Sequence, residues 1–351
     1  MKALIYILFS LILGFYLIGG VASYNTSLLI SIVTALFFPI CMIFFYRKID
    51  IFEKEKLSHL FIVFFLSGIL LHLIGEPIIY YRDTHLGGIN DSFIRLFIGV
   101  GLFEEILKII PVLLILRFRP LKKMNMINEP IDFIIYSSVS ALGFAFFENI
   151  QYIDQYSNTE NVVAIRSLLP LLVHTIFSSL IGFGLFCTRV TKDRGYFFIY
   201  LFIASLLHTL YDIGLISYVP EIVQTFAFYA VLAGSVTYYG ELIHSMLNIS
   251  PFYNEEKRND INGAFKFLLV IIVGVFILDL IHMTYYSESQ NLLQNIGNYD
   301  VYFFIMCMVI YSQIGQYLYT KKGRFIINTD AQDAIIKNFY NNLEKEESSS
   351  N

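Results

Sequence analysis

The chain contains no tryptophan, only three cysteines, and few charges, 15% of its 351 residues. Each shortage excludes something. Soluble domains carry about 25% charged residues, so a chain this long and this poor in charge is not one. Three cysteines with no C-x-x-C pair exclude a thiolate metal cluster. Cys41 and Cys187 fall near the inner ends of apolar runs, and Cys307 within one, so none lies in an outer loop where a disulfide would persist. Without tryptophan, the interfacial aromatic role passes to tyrosines such as Tyr80, Tyr81, Tyr152, Tyr218, Tyr285 and Tyr286. Long polar stretches are lacking too: the largest are the loop at 248–262 and the tail after Lys321, whose acidic, serine-rich end has a disordered composition.

Apolar residues make up 56% of the chain, and the mean hydropathy is strongly positive. Runs of eighteen or more apolar residues with few charges are the signature of spanning helices. Ten are read here, near 3–24, 26–46, 58–80, 93–116, 131–153, 167–188, 196–218, 222–247, 265–285 and 300–319. The fold class is therefore all-α, a polytopic membrane protein of about ten transmembrane helices. Cytoplasmic loops collect Lys and Arg. With the N-terminus inside, all basic residues face the cytoplasm except Arg82 and Arg166, which fall outside, and Arg95 and Lys108, which lie within the fourth helix. Both termini are thus expected to be cytoplasmic. Met1–Ser23 also has the outline of a signal peptide and is read as an uncleaved first helix. The chain divides into helices one to three (1–90), a four-helix core (91–218), helices eight to ten (219–320) and a cytoplasmic polar tail (321–351).

The core holds polar groups that lipid does not tolerate. Glu104 and Glu105 lie mid-run in Phe93–Leu116, where each carboxylate costs about 2.5–3.5 kcal/mol on insertion scales. Lys108, at i+4 and i+3, is within reach of both. The next helices carry Phe144-x-x-x-Glu148-Asn149, then His174, then His208-x-x-x-Asp212. At 1.5 Å rise per residue, Glu104 is about 17 Å below the outer face, His208 about 15 Å, His174 about 10 Å, Asp212 about 9 Å and Glu148 about 8 Å. All five share one outer-to-middle slab of the bilayer. Two chemistries suit such a set. Imidazoles with a carboxylate can bind a divalent metal, usually zinc, through His174, His208 and Glu148. Alternatively, a glutamate activates water while histidines stabilise the oxyanion.

The series Glu104-Glu105-x-x-Lys108, Phe144-x-x-x-Glu148, His174 and His208-x-x-x-Asp212 resembles the PrsW family of bacterial intramembrane proteases, distant relatives of the CAAX prenyl endopeptidases and of the APH-1 subunit of gamma-secretase. The resemblance covers about residues 91–218. It implies a multi-pass protease of the bacterial cytoplasmic membrane that makes the site-one cut in a membrane-anchored anti-sigma factor, on the outer side. It also implies catalytic roles for Glu104 or Glu105, Glu148, His174 and His208, with Lys108, Asn149 and Asp212 as accessories. No nucleic-acid partner is expected. Three other readings remain open: a protease of prenylated or small peptides, a proton-coupled transporter, and an APH-1-like scaffold. His72 with Glu76, Glu241 with His244, and Asp279 with His282 are polar pairs expected to stand apart from catalysis. His59 and His85 are expected at the interface.

Overall fold

The computed structural model describes residues 24–85, 93–122, 124–155, 169–214, 221–286 and 320–324, and among them every regular element is helical. The apolar runs become α1 (Tyr24–Ile49), α2, α3, α4 (Pro130–Gln155), α5 (Leu169–Thr191), α6 (Gly195–Gly214), α7 (Glu221–Asn248) and α8 (Asp260–Tyr286). Two of these are composite. In α2, Leu57–Leu70 passes through a π-helical stretch, Leu71–Gly75, into Glu76–His85; in α3, Phe93–Leu96 passes through π-helical Phe97–Leu102 into Phe103–Arg117. The runs expected at 3–24 and 300–319, with Cys307, Arg166, the tail beyond 324 and the side chains of His85, Asp279 and His282, lie outside the described residues.

Helices α4 and α5 form the centre. Of their most apolar stretches 94% is buried, against 39% for α2 and 33% for α6. The outer helices accordingly turn apolar side chains outward, Ile62, Phe65, Ile69 and Leu73 on α2 and Phe198, Ile199 and Phe202 on α6. Large exposed apolar faces of this kind belong against lipid. Among the described residues, four helices, Leu57–Tyr81, Pro130–Tyr152, Pro170–Thr191 and Gly195–Asp212, are long and apolar enough to cross a membrane.

Small residues let the central helices close up. A Cβ on Gly182 would lie 2.3 Å from the Phe133 carbonyl oxygen, and one on Gly143 would lie 2.1 Å from that of Phe64. Gly101 brings the π-helical stretch of α3 against α6, where a Cβ would meet Thr209 Oγ1 at 2.4 Å. A tight turn joins α5 to α6: Lys192 is left-handed (φ 63°), and Asp193 Oδ1 accepts the Gly195 N–H at 2.8 Å. Counted from that turn, His174 stands about 25 Å up one helix and His208 about 20 Å up the other, so the hairpin itself sets them at similar height.

Helix α4 starts at Pro130, whose missing N–H is no loss at a first helical position. Asp132 reaches back to accept the N–H groups of Asn128 and Glu129, each at 2.8 Å. Around this end, outside the apolar spans, the carboxyls are buried. Burial pushes Asp50 up to about 6, and burial with the nearby Asp50 charge pushes Glu55 up to about 7. Burial and the Asp50 charge raise Glu129 as well. Asp132, Glu53, Tyr136 and His59 are other titratable groups facing them. Unfolded carboxyls titrate near 4, so between about pH 4 and 7 the folded state binds more protons. The contribution of these groups is complete at the acid end of that window and is lost as the pH rises through 6–7. In detergent with a chelator present, the Tm is expected to rise by several degrees from pH 8 to pH 5.5, and neutral Asp50→Asn is expected to flatten that slope.

Candidate functional site

The π-helical stretch of α3 ends at Leu102, two residues before Glu104. An extra residue per turn rotates the rest of the helix about its axis, and such stretches recur at functional sites. Beyond it, Glu104, Glu105 and Lys108 face α4, α5 and α6 together. Lys108 is fully buried. Its Nζ donates to Glu105 Oε1 at 2.9 Å and to Glu104 Oε2 at 3.2 Å. The same Nζ lies 2.7 Å from His174 Nδ1 and 4.7 Å from the centre of the Phe144 ring. Phe144 thus offers the ammonium its π face as well as packing.

The two glutamates have different surroundings. Glu105 is fully buried, and both its oxygens are engaged: Oε1 by Lys108 and by His208 Nδ1 at 3.0 Å, Oε2 by the Ser178 hydroxyl at 2.6 Å. Glu104 keeps 12% of its side chain exposed and touches Lys108 and, at 3.6 Å, His208 Nε2. Adjacent helical residues point about 100° apart, which is how one carboxylate becomes a brace while its neighbour meets the opening.

The imidazoles stand 4.9 Å apart, edge to face. His174 Nε2 lies 3.5 Å from Glu148 Oε2, and His208 Nε2 lies 3.7 Å from Asp212 Oδ2. Glu148 and Asp212 are 15% and 25% exposed, the most accessible groups here. Asn149 is buried beside Glu148. One ligand atom each from Glu104, His174 and His208 lies within 4.8 Å of the others, so this trio can hold a metal ion. The sequence pattern instead pairs Glu148 with the two histidines. Sequence reasoning also misses Ser178, although its i+4 spacing from His174 is visible, and Ser140, whose hydroxyl donates to the Lys108 carbonyl at 2.5 Å. Two of the other polar pairs have partners of their own. His72 pairs with Glu76 at 2.8 Å, with Gln151 donating to the same glutamate, and His244 meets Thr320 at 2.6 Å.

Carboxylates and imidazoles converging inside an apolar helical bundle are groups able to activate water for hydrolysis within a membrane. The chain belongs to the PrsW family: the sequence family described as PrsW family intramembrane metalloprotease matches residues 55–237, beyond the 91–218 stretch on both sides. Protease PrsW of Geobacillus kaustophilus is 32% identical over 173 residues, covering 48% of this chain and 72% of the relative. The Clostridioides difficile protein of the same name is 32% identical over 182 residues, covering 48% and 72%. The Bacillus subtilis one is 30% identical over 172 residues, covering 48% and 74%. No solved structure matches the chain. Family and apolar helices together make this an integral membrane protein and an intramembrane peptidase by kinship.

Removing the cation of a buried ion cluster leaves uncompensated charge and costs about 3–5 kcal/mol. Lys108→Met is therefore expected to lower the Tm sharply in detergent, and adding Glu105→Gln to it is expected to recover part of the loss.

Proposed function

We propose that this protein is an endopeptidase that hydrolyses a peptide bond near the outer side of the bacterial cytoplasmic membrane, with Glu104 as general base. The observation that carries the reading is the division of labour between the glutamates: Glu105 is saturated by three donors, whereas Glu104 remains partly accessible at the same site. Glu104 takes a proton from water as its oxygen attacks the scissile carbonyl carbon. The proton then passes to the leaving nitrogen as the C–N bond breaks.

His174 supplies the oxyanion donor. A lysine ammonium held by two carboxylates has only protons to offer, so at 2.7 Å the Nδ1 of His174 accepts. The neutral ring then carries its proton on Nε2, pointing toward the open side. Glu148 stands 3.5 Å in front of that N–H, a distance that leaves a weak contact for a substrate oxygen to displace. His208 is braced at Nδ1 by Glu105 and turns Nε2 toward Glu104 and Asp212.

A metal is the second reading, favoured by the Glu104, His174 and His208 trio and by the family's description as metalloproteases. Zinc would supply a Lewis acid and an activated water there. Glu104 and His208 Nε2 suit it. His174 does not in this arrangement, because a metal on Nε2 would leave a proton on Nδ1 facing the Lys108 ammonium. The proposed steps therefore rest on proton transfer by Glu104 and hydrogen bonding by His174.

The substrate class we infer is a single-span membrane protein such as an anti-sigma factor, entering from the outer side. The depth of the site below the outer face supports this, given a ten-helix, multi-pass chain with both termini cytoplasmic, as the distribution of basic residues supports. The four helices within 91–218 would be the catalytic unit, with Lys108, Asn149 and Asp212 as positioning groups. Reconstituted protein with a single-span anti-sigma substrate tests the proposal. Glu104→Gln is expected to lower kcat by at least about a hundredfold, and wild-type cleavage is expected to survive chelation. Full activity in Glu104→Gln would end the proposal, and chelator-sensitive cleavage restored by zinc would move the metal reading ahead.

A further inference from the structure

Three carboxylates meet at the end of α4 remote from the proteolytic centre. Asp50 follows α1, and Glu129 and Asp132 open α4; all three are fully buried. Glu148, on the same helix, is about 24 Å along the axis from Asp132. One oxygen of each carboxylate lies within 4.8 Å of one from each of the others.

Each carboxylate is held on one side only. Asp50 Oδ2 accepts the Glu55 N–H at 2.7 Å, Asp132 Oδ2 accepts the two N–H groups at the start of α4, and Glu129 Oε2 accepts the Ser250 hydroxyl. The second oxygens, Asp50 Oδ1, Glu129 Oε1 and Asp132 Oδ1, are buried and receive no hydrogen bond from a donor group, although Asp50 and Glu129 face each other closely enough to share a proton. The donors therefore fix the orientation of three acceptors and leave them bare. Among the described residues, no Lys or Arg side chain is within ion-pair distance of the three. Nearby Glu55 adds a further carboxylate, with Tyr136 donating to it at 2.5 Å and His59 Nδ1 standing 3.6 Å away without a hydrogen bond.

Buried carboxyls are paired, take up protons or bind metals. One proton shared between two of these carboxylates would still leave the third bare. An oxygen-only donor set selects hard cations over zinc or copper. With Ca–O distances of about 2.4 Å, ligands on opposite sides of the ion are about 4.8 Å apart, so the spacing of the three is compatible with one shared ion.

We propose that Asp50, Glu129 and Asp132 form a binding site for one hard divalent cation, of the Mg²⁺, Mn²⁺ or Ca²⁺ class, that ties the α1–α2 connection and the start of α4 together, with Ser250 of the turn after α7 orienting Glu129. It is independent of the proteolytic reading. The full chain in detergent, stripped with chelator and then freed of it, is titrated with Mn²⁺ by electron paramagnetic resonance, with Ca²⁺ and Mg²⁺ as competitors. One saturable Mn²⁺ per chain is expected. It persists in Glu104→Gln and weakens at least about tenfold in Asp50→Asn and in Glu129→Gln, since losing even an outer partner of a ligand costs that much. Mn²⁺ also raises the Tm of the wild type but not of these variants. Absence of a saturable site, or a site that survives both cluster substitutions, overturns the proposal. So does a Glu129→Gln chain that is more stable than stripped wild type while the wild type binds no Mn²⁺, which marks a shared-proton cluster.

Discussion

The buried ammonium of Lys108 is the constraint on which the candidate catalytic centre depends. Within 3.2 Å it holds one glutamate saturated, touches the other and meets His174 Nδ1. Without it, two carboxylates and an imidazole would share a low-dielectric site with no cation. With it, negative charge is offset, and each partner receives a distinct protonation role. Its position depends on backbone packing: Gly101 admits α3 against α6, the α5–α6 turn levels the histidines, and Ser140 fixes the carbonyl of Lys108 itself.

The two ends of α4 answer the problem of buried charge differently. At one end, a lysine is built in. At the other, three carboxylates are oriented by backbone N–H groups and a serine, and no basic side chain among the described residues balances them. Because α4 packs against α1, α2, α3, α5 and α7, events at either end act on a helix the whole bundle shares.

Much of this is legible in the sequence. Eight of the apolar runs form helices with bounds shifted by a few residues, since hydropathy alone dictates where a chain is buried from water. Counting depth along the runs places Glu104, Glu148, His174, His208 and Asp212 in one slab, and they do converge. What the sequence withholds is direction. Adjacent Glu104 and Glu105 look alike until the neighbours show that Ser178 and His208 take one of them. The π-helical stretches at 71–75 and 97–102 carry no periodic signal, because one extra residue shifts the helical phase without altering hydropathy. Asp50, Glu129 and Asp132 stand at or just beyond the ends of apolar runs, and their meeting depends on contacts between distant segments.

In the proposed chemistry Lys108 fixes the His174 tautomer and so makes that ring a donor rather than a ligand, and the proposal turns on this point. Nitrogen-15 NMR of histidine-labelled protein in detergent, with His174 assigned by His174→Gln, reads it directly. The expected result is a neutral ring protonated at Nε2 and unprotonated at Nδ1, with a spectrum unchanged by added zinc. A ring protonated at Nδ1, or an Nε2 signal shifted by zinc, would contradict it.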